Sequence, residues 1–223
     1  MKISHEDTKA RREEMKKRIV LLGPPASGKG TQAEKIRERF GIPIVSTGAM
    51  FRYEMRMSTP LGIEVDKLTR DGHMAPDRLV MQIVESWLQD NGESFAFDGF
   101  PRTLVQAEGL REILAERTLH VVFLFDLTMQ TIFERVMNRL TCDKCGRTYA
   151  ADKIKDTHCT CGGNLIRRSD DTPEALEQRL LAYQNHTEPL VGYYRDQGVL
   201  RVLQAADTPE NVFAQIQAVL EDS

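Results

Sequence analysis

A glycine-rich stretch between an apolar run and an amphipathic segment constrains the fold more than any other part of the chain. Its sequence is Gly23-Pro24-Pro25-Ala26-Ser27-Gly28-Lys29-Gly30-Thr31, directly after Ile19-Val20-Leu21-Leu22 and before residues 32–40, whose apolar positions have helical spacing. A strand that ends in such a turn and leads into a helix points free backbone N–H groups, and the positive end of the helix dipole, at an anion. The spacing G-x-x-x-x-G-K adds a lysine that reaches the outer phosphates of a nucleotide. We therefore predict a phosphate-binding loop, because a glycine-rich turn that carries a lysine by chance seldom has both flanking elements.

Composition limits the remaining choices. The chain has 223 residues, of which 41% are hydrophobic, and this suits one α/β domain with small insertions. It has no run of 18 apolar residues and no apolar signal core, so we expect a cytoplasmic protein that does not bind membranes. The formal net charge of −3 argues against a nucleic-acid partner, since proteins that bind duplexes usually carry a basic excess.

The residues after Lys29 narrow the prediction. The general loop has Ser or Thr next, as a Mg²⁺ ligand, whereas here Gly30 intervenes before Thr31. Gly-Lys-Gly-Thr resembles adenylate kinase and related nucleoside-monophosphate kinases. The resemblance implies that the ATP phosphates are held by Ala26, Ser27, Gly28, Lys29, Gly30 and Thr31. Ala26 replaces a glycine that is usual in that loop, and we expect the backbone there to accommodate it, since this position tolerates alanine if its φ is negative.

A second motif follows the short apolar strand at Ile44-Val45. Ser46-Thr47-Gly48-Ala49-Met50-Phe51-Arg52 resembles the family motif Ser-Thr-Gly-Asp-Met-x-Arg. The resemblance implies that residues 47–75 form an inserted monophosphate-binding flap, in which Thr47 and Arg52 face AMP while His73, Met74 and Ala75 line its base. The alternative for Arg52 is a solvated helix arginine. Because alanine stands at position 49, any contact that the family's acid makes there is absent or supplied elsewhere.

A third motif is Asp98-Gly99-Phe100-Pro101-Arg102-Thr103, after the apolar run that begins at Phe95. An acid at the end of a buried strand can aim its carboxylate at the Mg²⁺ of a nucleotide, directly or through water, although it can also serve as a strand-end cap. The resemblance assigns Gly99, Phe100, Pro101 and Arg102 to AMP, with Arg102 on its phosphate. It also assigns Gln106 to the adenine edge, which an amide suits because it both donates and accepts hydrogen bonds.

Further arginines complete the predicted charge cluster. The helix after Thr128 is expected to carry Arg135 and Arg139 four residues apart, hence on one face, either at the site or as a surface pair. The resemblance places Arg135 against the donor base and Arg139 on the ATP phosphates, while Arg168 and Arg179 clamp the phosphates and also contact AMP. Phosphoryl transfer needs charge compensation and in-line positioning. The predicted catalytic set is Lys29, Arg102, Arg139, Arg168 and Arg179.

Four cysteines lie within twenty residues, which in a cytosolic protein indicates metal rather than disulfides. Cys142-x-x-Cys145-Gly has the form of a zinc knuckle. The second half is ambiguous, because Cys159-x-Cys161 lacks the usual spacing and His158-x-x-Cys161-Gly has it. The zinc-bearing lid of some bacterial adenylate kinases also aligns with His158 and Cys161. We therefore predict a structural Zn²⁺ on Cys142, Cys145, His158 and Cys161, with Cys159 as the alternative fourth ligand and a metal-free lid as the alternative to zinc.

Together these patterns predict an α/β protein with a three-layer P-loop core around a parallel sheet. The core comprises residues 18–46, 76–139 and 172–223, with the flap at 47–75, a zinc-ribbon-like lid at 140–171, and a polar N-terminal extension at 1–17 to which we assign no role. The predicted activity is transfer of a phosphoryl group from MgATP to AMP, giving two ADP, by a monomer. A UMP or CMP kinase is the nearer alternative, and a nucleic-acid-binding zinc-ribbon NTPase the more distant one.

Overall fold

A parallel sheet of five strands lies at the centre of the molecule, which is described here by a computed structural model covering residues 17–69, 74–168 and 171–222. The strands are parallel throughout and follow the order β2-β3-β1-β4-β8. Their bounds are β1 (Arg18–Leu22), β2 (Ile44–Ser46), β3 (Phe95–Asp98), β4 (Val121–Asp126) and β8 (Leu200–Gln204). Parallel sheets are usually covered on both faces, and this one is.

Helices cover the two faces and give the predicted three layers. They are α1 (Lys29–Phe40), α2 (Thr47–Arg56), α3 (Pro60–Thr69), α4 (Asp77–Asn91), α5 (Leu104–Leu114), α6 (Met129–Met137), α7 (Pro173–Ala182), α8 (Pro189–Asp196) and α9 (Pro209–Glu221). Side chains of β1 alternate between the faces, so Ile19 packs with α1 and α9 whereas Val20 packs with α4, α5 and α8. The predicted fold class is confirmed.

Threonine side chains cap the first turns of several helices. The hydroxyls of Thr172 and Thr208 accept backbone N–H bonds of 3.2 and 3.3 Å at the first turns of α7 and α9. A π-helical turn, Tyr183–Thr187, joins α7 to α8. None of the helices in the described residues combines the length and apolarity that crossing a bilayer requires.

A small antiparallel sheet projects from the chain between α6 and α7. Its order is β6-β5-β7, with β5 (Arg139–Cys142), β6 (Thr148–Ala150) and β7 (Leu165–Ile166). The prediction that Arg135 and Arg139 share a helical face is wrong. Helix α6 ends at Met137 with Asn138 as its C-cap, and Arg139 pairs with Ala150 in the antiparallel ladder.

Candidate active site

A cleft of about 1210 Å³ runs along the edge of the central sheet where its strands end. Ligands of open α/β sheets bind at this edge, because the loops that leave the strands meet there. A pocket for one small molecule usually occupies 300–1,000 Å³, so the cleft has space for more than one. Most of the predicted site residues line it: Ala26, Ser27, Gly28, Lys29, Gly30, Thr31, Thr47, Arg52, Met74, Ala75, Asp98, Gly99, Pro101, Arg102, Gln106, Arg135, Arg139, Arg168 and Arg179.

Two predicted residues are not placed in the cleft. Phe100 is fully buried in the apolar core, with its ring 4.9 Å from that of Phe97, centroid to centroid. The turn after β3 directs this ring inward, so a contact of Phe100 with AMP would come from its backbone. His73 lies outside the described residues.

The loop between β1 and α1 wraps around the ammonium group of Lys29. The Lys29 Nζ donates hydrogen bonds to the carbonyl oxygens of Gly23 and Pro24, at 2.8 and 2.7 Å, and to Ser27 Oγ at 3.1 Å. Burial lowers the pKa of Lys29 to about 8, which the Asp98 carboxylate opposes and the nearby arginines reinforce. An anion bound in the loop would stabilise the charged form of this lysine.

The backbone of the loop is left-handed at three positions. Gly23 has φ 154°, and a Cβ there would lie 2.9 Å from the Cβ of Phe125, so only glycine fits. Gly28 has φ 97° and forms the N-cap of α1. Ala26 has φ 55°, so the negative φ that would make alanine tolerable here is not present. The curvature of the loop requires a conformation that costs an alanine roughly 1–2 kcal/mol.

Asp98 lies at the end of β3, between β1 and β2. Its register partners are Leu21 on β1 and Ser46 on β2. A Cβ on Gly30 would lie 3.5 Å from Asp98 Oδ2, so the carboxylate faces the first turn of α1. This placement suits a carboxylate that holds Mg²⁺ beside the phosphates, through water or directly.

Two arginines line the part of the cleft formed by the segments that follow β2 and β3. The Arg102 Nε donates to the carbonyl of Gly99 at 2.8 Å, and burial lowers the pKa of this guanidinium. Arg52 Nη1 lies 3.2 Å from where a Cβ on Gly48 would be, so the arginine folds back over the start of α2. Both residues line the cleft, Arg52 from the helix that follows β2 and Arg102 from the loop that follows β3.

A buried carboxylate that the sequence analysis missed organises two further arginines. The side chain of Asp171 is 1% exposed. It accepts hydrogen bonds from Arg139 Nε, at 2.9 Å, and from Arg139 Nη2. Arg179 lies 3.6 Å from the same carboxylate. The acid pair Asp170-Asp171 beside Arg168 was the available signal, since a buried arginine cluster needs a counter-ion.

Arg135 connects the phosphate loop to the last strand. Its Nη1 donates to the carbonyl of Ser27 at 3.3 Å and its Nη2 to that of Ala205 at 2.7 Å, while burial lowers its pKa. The guanidinium therefore lies at the rim of the cleft beside residues that leave β8.

The four cysteines converge in the small sheet. The sulfur atoms of Cys142, Cys145, Cys159 and Cys161 all lie within 4.8 Å of one another. Tetrahedral zinc with Zn–S bonds of about 2.3 Å requires S···S separations of about 3.8 Å. The Cys142–Cys161 and Cys145–Cys159 pairs, at 3.5 and 3.6 Å, fit that requirement.

The predicted ligand His158 is corrected to its alternative, Cys159. His158 pairs with Asn164 through a β-bridge, and its Nδ1 is 2.9 Å from Thr157 Oγ1. Cys159 is instead buried, because its backbone N–H bonds to the carbonyl of Gly163 at 2.8 Å and closes a tight turn. That turn, with Gly162 at φ 80°, lets a C-x-C pair supply two sulfur atoms to one site.

Comparison with known proteins supports the motif-based resemblance. The sequence model of the family described as adenylate kinase matches residues 21–199 of the chain. The chain belongs to the adenylate kinase family. Its relatives include adenylate kinases from Clostridium kluyveri and Clostridium botulinum strain Loch Maree, each 39% identical over 91% of this chain and 97% and 98% of the relative. The adenylate kinase of Clostridium tetani is 40% identical over 91% of this chain and 97% of its own length.

Family membership confirms three predictions made from the sequence. The resemblance carried by the phosphate loop, the Thr47–Arg52 motif and the Asp98–Arg102 motif identifies the right family. The P-loop α/β fold follows from it, as does the assignment as a nucleotide-binding kinase.

Proposed function

We propose that the protein transfers the terminal phosphoryl group of ATP to AMP, giving two ADP, in the single cleft described above. The observation that carries this proposal is the arrangement of the cleft. A phosphate loop with Lys29 lines the same cleft as Arg52 and Arg102, and Arg102 lies close enough to Lys29 to lower the pKa of the lysine. The names of the relatives favour AMP over UMP or CMP as the acceptor.

The proposed mechanism relies on charge compensation. Lys29 and the backbone N–H groups of the loop bind the outer ATP phosphates, and Arg52 and Arg102 hold the AMP phosphate in line with them. Arg139, Arg168 and Arg179 line the same cleft and stabilise the charge that develops on the transferring group. None of these steps requires a general base from the protein.

Two metal ions fit this chain. Mg²⁺ accompanies ATP, and Asp98 is the carboxylate placed to orient it, most simply through water. Zn²⁺ would be held by Cys142, Cys145, Cys159 and Cys161, and four protein ligands give it a structural role. The phenol oxygen of Tyr149, 3.0 Å from the Cys159 sulfur, adds a donor to that thiolate.

The small sheet and the α2–α3 segment are proposed to close over bound nucleotides as lid and flap. Thr148, Tyr149 and Ala150 of the small sheet line the cleft together with Thr47, Met55 and Val65 of the flap, so both segments border the same space. Closure excludes water, which would otherwise hydrolyse ATP. Because one chain supplies all the residues that line the cleft, we propose that the protein acts as a monomer.

The direct test is ADP formation from ATP and AMP, with UMP and CMP as competing acceptors. The proposal predicts two ADP per AMP consumed, dependence on Mg²⁺, and much slower turnover with UMP or CMP. Faster phosphorylation of UMP or CMP than of AMP would instead identify the nearer alternative. Salt-sensitive retention on DNA or RNA, with ATP hydrolysis but no transfer, would support the zinc-ribbon NTPase.

A further inference from the structure

The acceptor half of the cleft contains one buried amide among apolar side chains. Gln106 is 1% exposed and lines the cleft. Apolar residues of α2, α3 and α4 line it too: Phe51, Met55, Val65 and Val80. The hydroxyls of Thr47 and Thr69 line the cleft as well, but among these groups only the Gln106 amide presents a fixed donor and a fixed acceptor side by side to a base.

The orientation of the Gln106 amide is dictated by its two partners. Its Oε1 accepts from the backbone N–H of Arg102 at 2.8 Å, and its Nε2 donates to Asp77 Oδ1 at 2.7 Å. A backbone N–H only donates and a carboxylate only accepts, so the amide has one arrangement that satisfies both. A side-chain amide has two acceptor and two donor positions. One lone pair on Oε1 and one N–H on Nε2 remain for a ligand.

Asp77 is itself held in place. It is the first residue of α4, where the helix dipole stabilises a carboxylate. Its second oxygen, Oδ2, accepts from Thr103 Oγ1 at 3.0 Å, and Thr103 Oγ1 in turn accepts from the Gln106 backbone N–H at 3.2 Å. The three residues form a closed ring of hydrogen bonds, which ties the start of α4 to the start of α5.

We propose that Asp77 is a positioning residue that fixes the hydrogen-bond polarity with which Gln106 meets the acceptor base. This inference rests on the proposed function and deepens it. The remaining lone pair of Oε1 accepts from an exocyclic amino group, and the remaining N–H of Nε2 donates to the neighbouring ring nitrogen. Adenine presents that pair of groups, whereas guanine and hypoxanthine present a carbonyl and a ring N–H, the reverse polarity. Cytosine shares the polarity of adenine, so the size of the base, not Asp77, distinguishes CMP.

The test compares AMP with IMP, which differ at position 6 of the purine in the polarity of these groups. In Asp77→Ala the amide loses one of its two constraints. We expect the KM for AMP to rise about tenfold, the effect of losing one oriented hydrogen bond, with the KM for ATP unchanged. The preference for AMP over IMP should fall by a similar factor. Asp77→Asn keeps the size of the side chain but can donate as well as accept, so only the Arg102 N–H still orients the Gln106 amide, and that preference should also fall. The matched control is Glu85→Ala, which removes an exposed carboxylate from the same helix and should change none of these values.

A double-mutant cycle shows whether Asp77 acts through Gln106. In a Gln106→Ala background, Asp77→Ala should leave the KM for AMP unchanged. The inference is overturned if Asp77→Ala has the same effect in both backgrounds, or if neither Asp77 variant alters the ratio of AMP to IMP. Thermal unfolding shows whether Asp77→Ala is folded. If it is not, the effect of the more conservative Asp77→Asn on the preference for AMP over IMP tests the inference. Calorimetric titration with AMP and IMP, without ATP, measures the same preference without turnover. It separates failure of this inference from failure of the proposed phosphoryl transfer.

Discussion

The central parallel sheet and the small antiparallel sheet differ in what covers their faces. Helices cover both faces of the central sheet, and the strand residues between them, such as Val20 and Phe97, are fully buried. The apolar clusters of the described residues include none of the residues from 140 to 168. The small sheet instead has four converging sulfur atoms at its end. The central sheet is therefore stabilised by apolar burial, whereas the small sheet lacks such a core, and we propose that a metal ion bound by its four sulfur atoms stabilises it instead.

This difference has a consequence for the site. The phosphate loop and Asp98 are attached to the buried sheet, and we expect their geometry to persist without ligands. Arg139 belongs to the small sheet and Arg179 to the helix that follows it, so their positions depend on the smaller, less buried unit.

Metal removal should have the largest effect, because it removes what holds the small sheet. Chelation, or Cys142→Ser, is expected to release one Zn²⁺ per chain and to abolish hydrogen-exchange protection over 139–166, while the central strands stay protected. His158→Ala is the matched control and should retain the metal. Unchanged protection over 139–166 after metal loss would show that hydrogen bonds alone hold the segment.

Arg139→Ala should lower kcat by about 10³-fold, the scale of an arginine that stabilises phosphoryl transfer. The KM for either nucleotide should change far less, because the arginine acts on charge that develops in the transition state. Steady-state kinetics measures both. Arg147→Ala removes an exposed arginine from the loop between β5 and β6 and should leave kcat intact. A similar loss at Arg147 would indicate that the variants disturb the small sheet rather than the transferring group.

ATP should bind more weakly above pH 8, because Lys29 loses its proton in the ligand-free protein. Its pKa in the ligand-free protein is about 8, and bound phosphate raises it because the anion favours the ammonium form. Above pH 8 the free lysine is largely neutral, so binding takes up a proton and affinity falls as pH rises. We expect about tenfold weaker ATP binding at pH 9 than at pH 7. Calorimetry in buffers of different ionisation enthalpy measures the uptake, which Lys29→Met should abolish. Proton release on binding would contradict this assignment.

Ala26→Gly should have the smallest effect. Glycine relieves the left-handed strain at φ 55° but gains freedom in the unfolded chain, so the net stabilisation is expected to be about 0.5–1 kcal/mol. Chemical denaturation measures it. Ala33→Gly, within α1, should destabilise the protein instead. Destabilisation by both changes would show that the loop carries no strain at Ala26.

Local patterns in the sequence predicted the parts of the molecule that local physics determines. The phosphate loop and the strand that ends at Asp98 each follow from a few neighbouring residues. The resemblance to the family then predicted that these motifs line one cleft. The family and the fold are confirmed. The roles of individual cleft residues remain predictions.

The errors all concern residues whose setting depends on distant partners or on backbone conformation. Arg139 leaves its predicted helix because β6 pairs with it. Cys159, not His158, joins the other three cysteines, because a turn closed by the Cys159–Gly163 hydrogen bond orients the Cys159 sulfur. Asp77 and Asp171 escaped notice because each binds partners that are not adjacent in sequence. Residue type and spacing carry no information about such pairings.

Whether two nucleotides bind together in one cleft can be measured with a bisubstrate analogue in which a phosphate chain joins two adenosines. The measurement gives the number of analogues bound per chain and shows which nucleotides displace them. If two nucleotides occupy one cleft, calorimetry will find one analogue per chain, displaced by ATP and by AMP alike, and Lys29→Met will weaken its binding. Two analogues per chain, or displacement by ATP alone, would contradict the account.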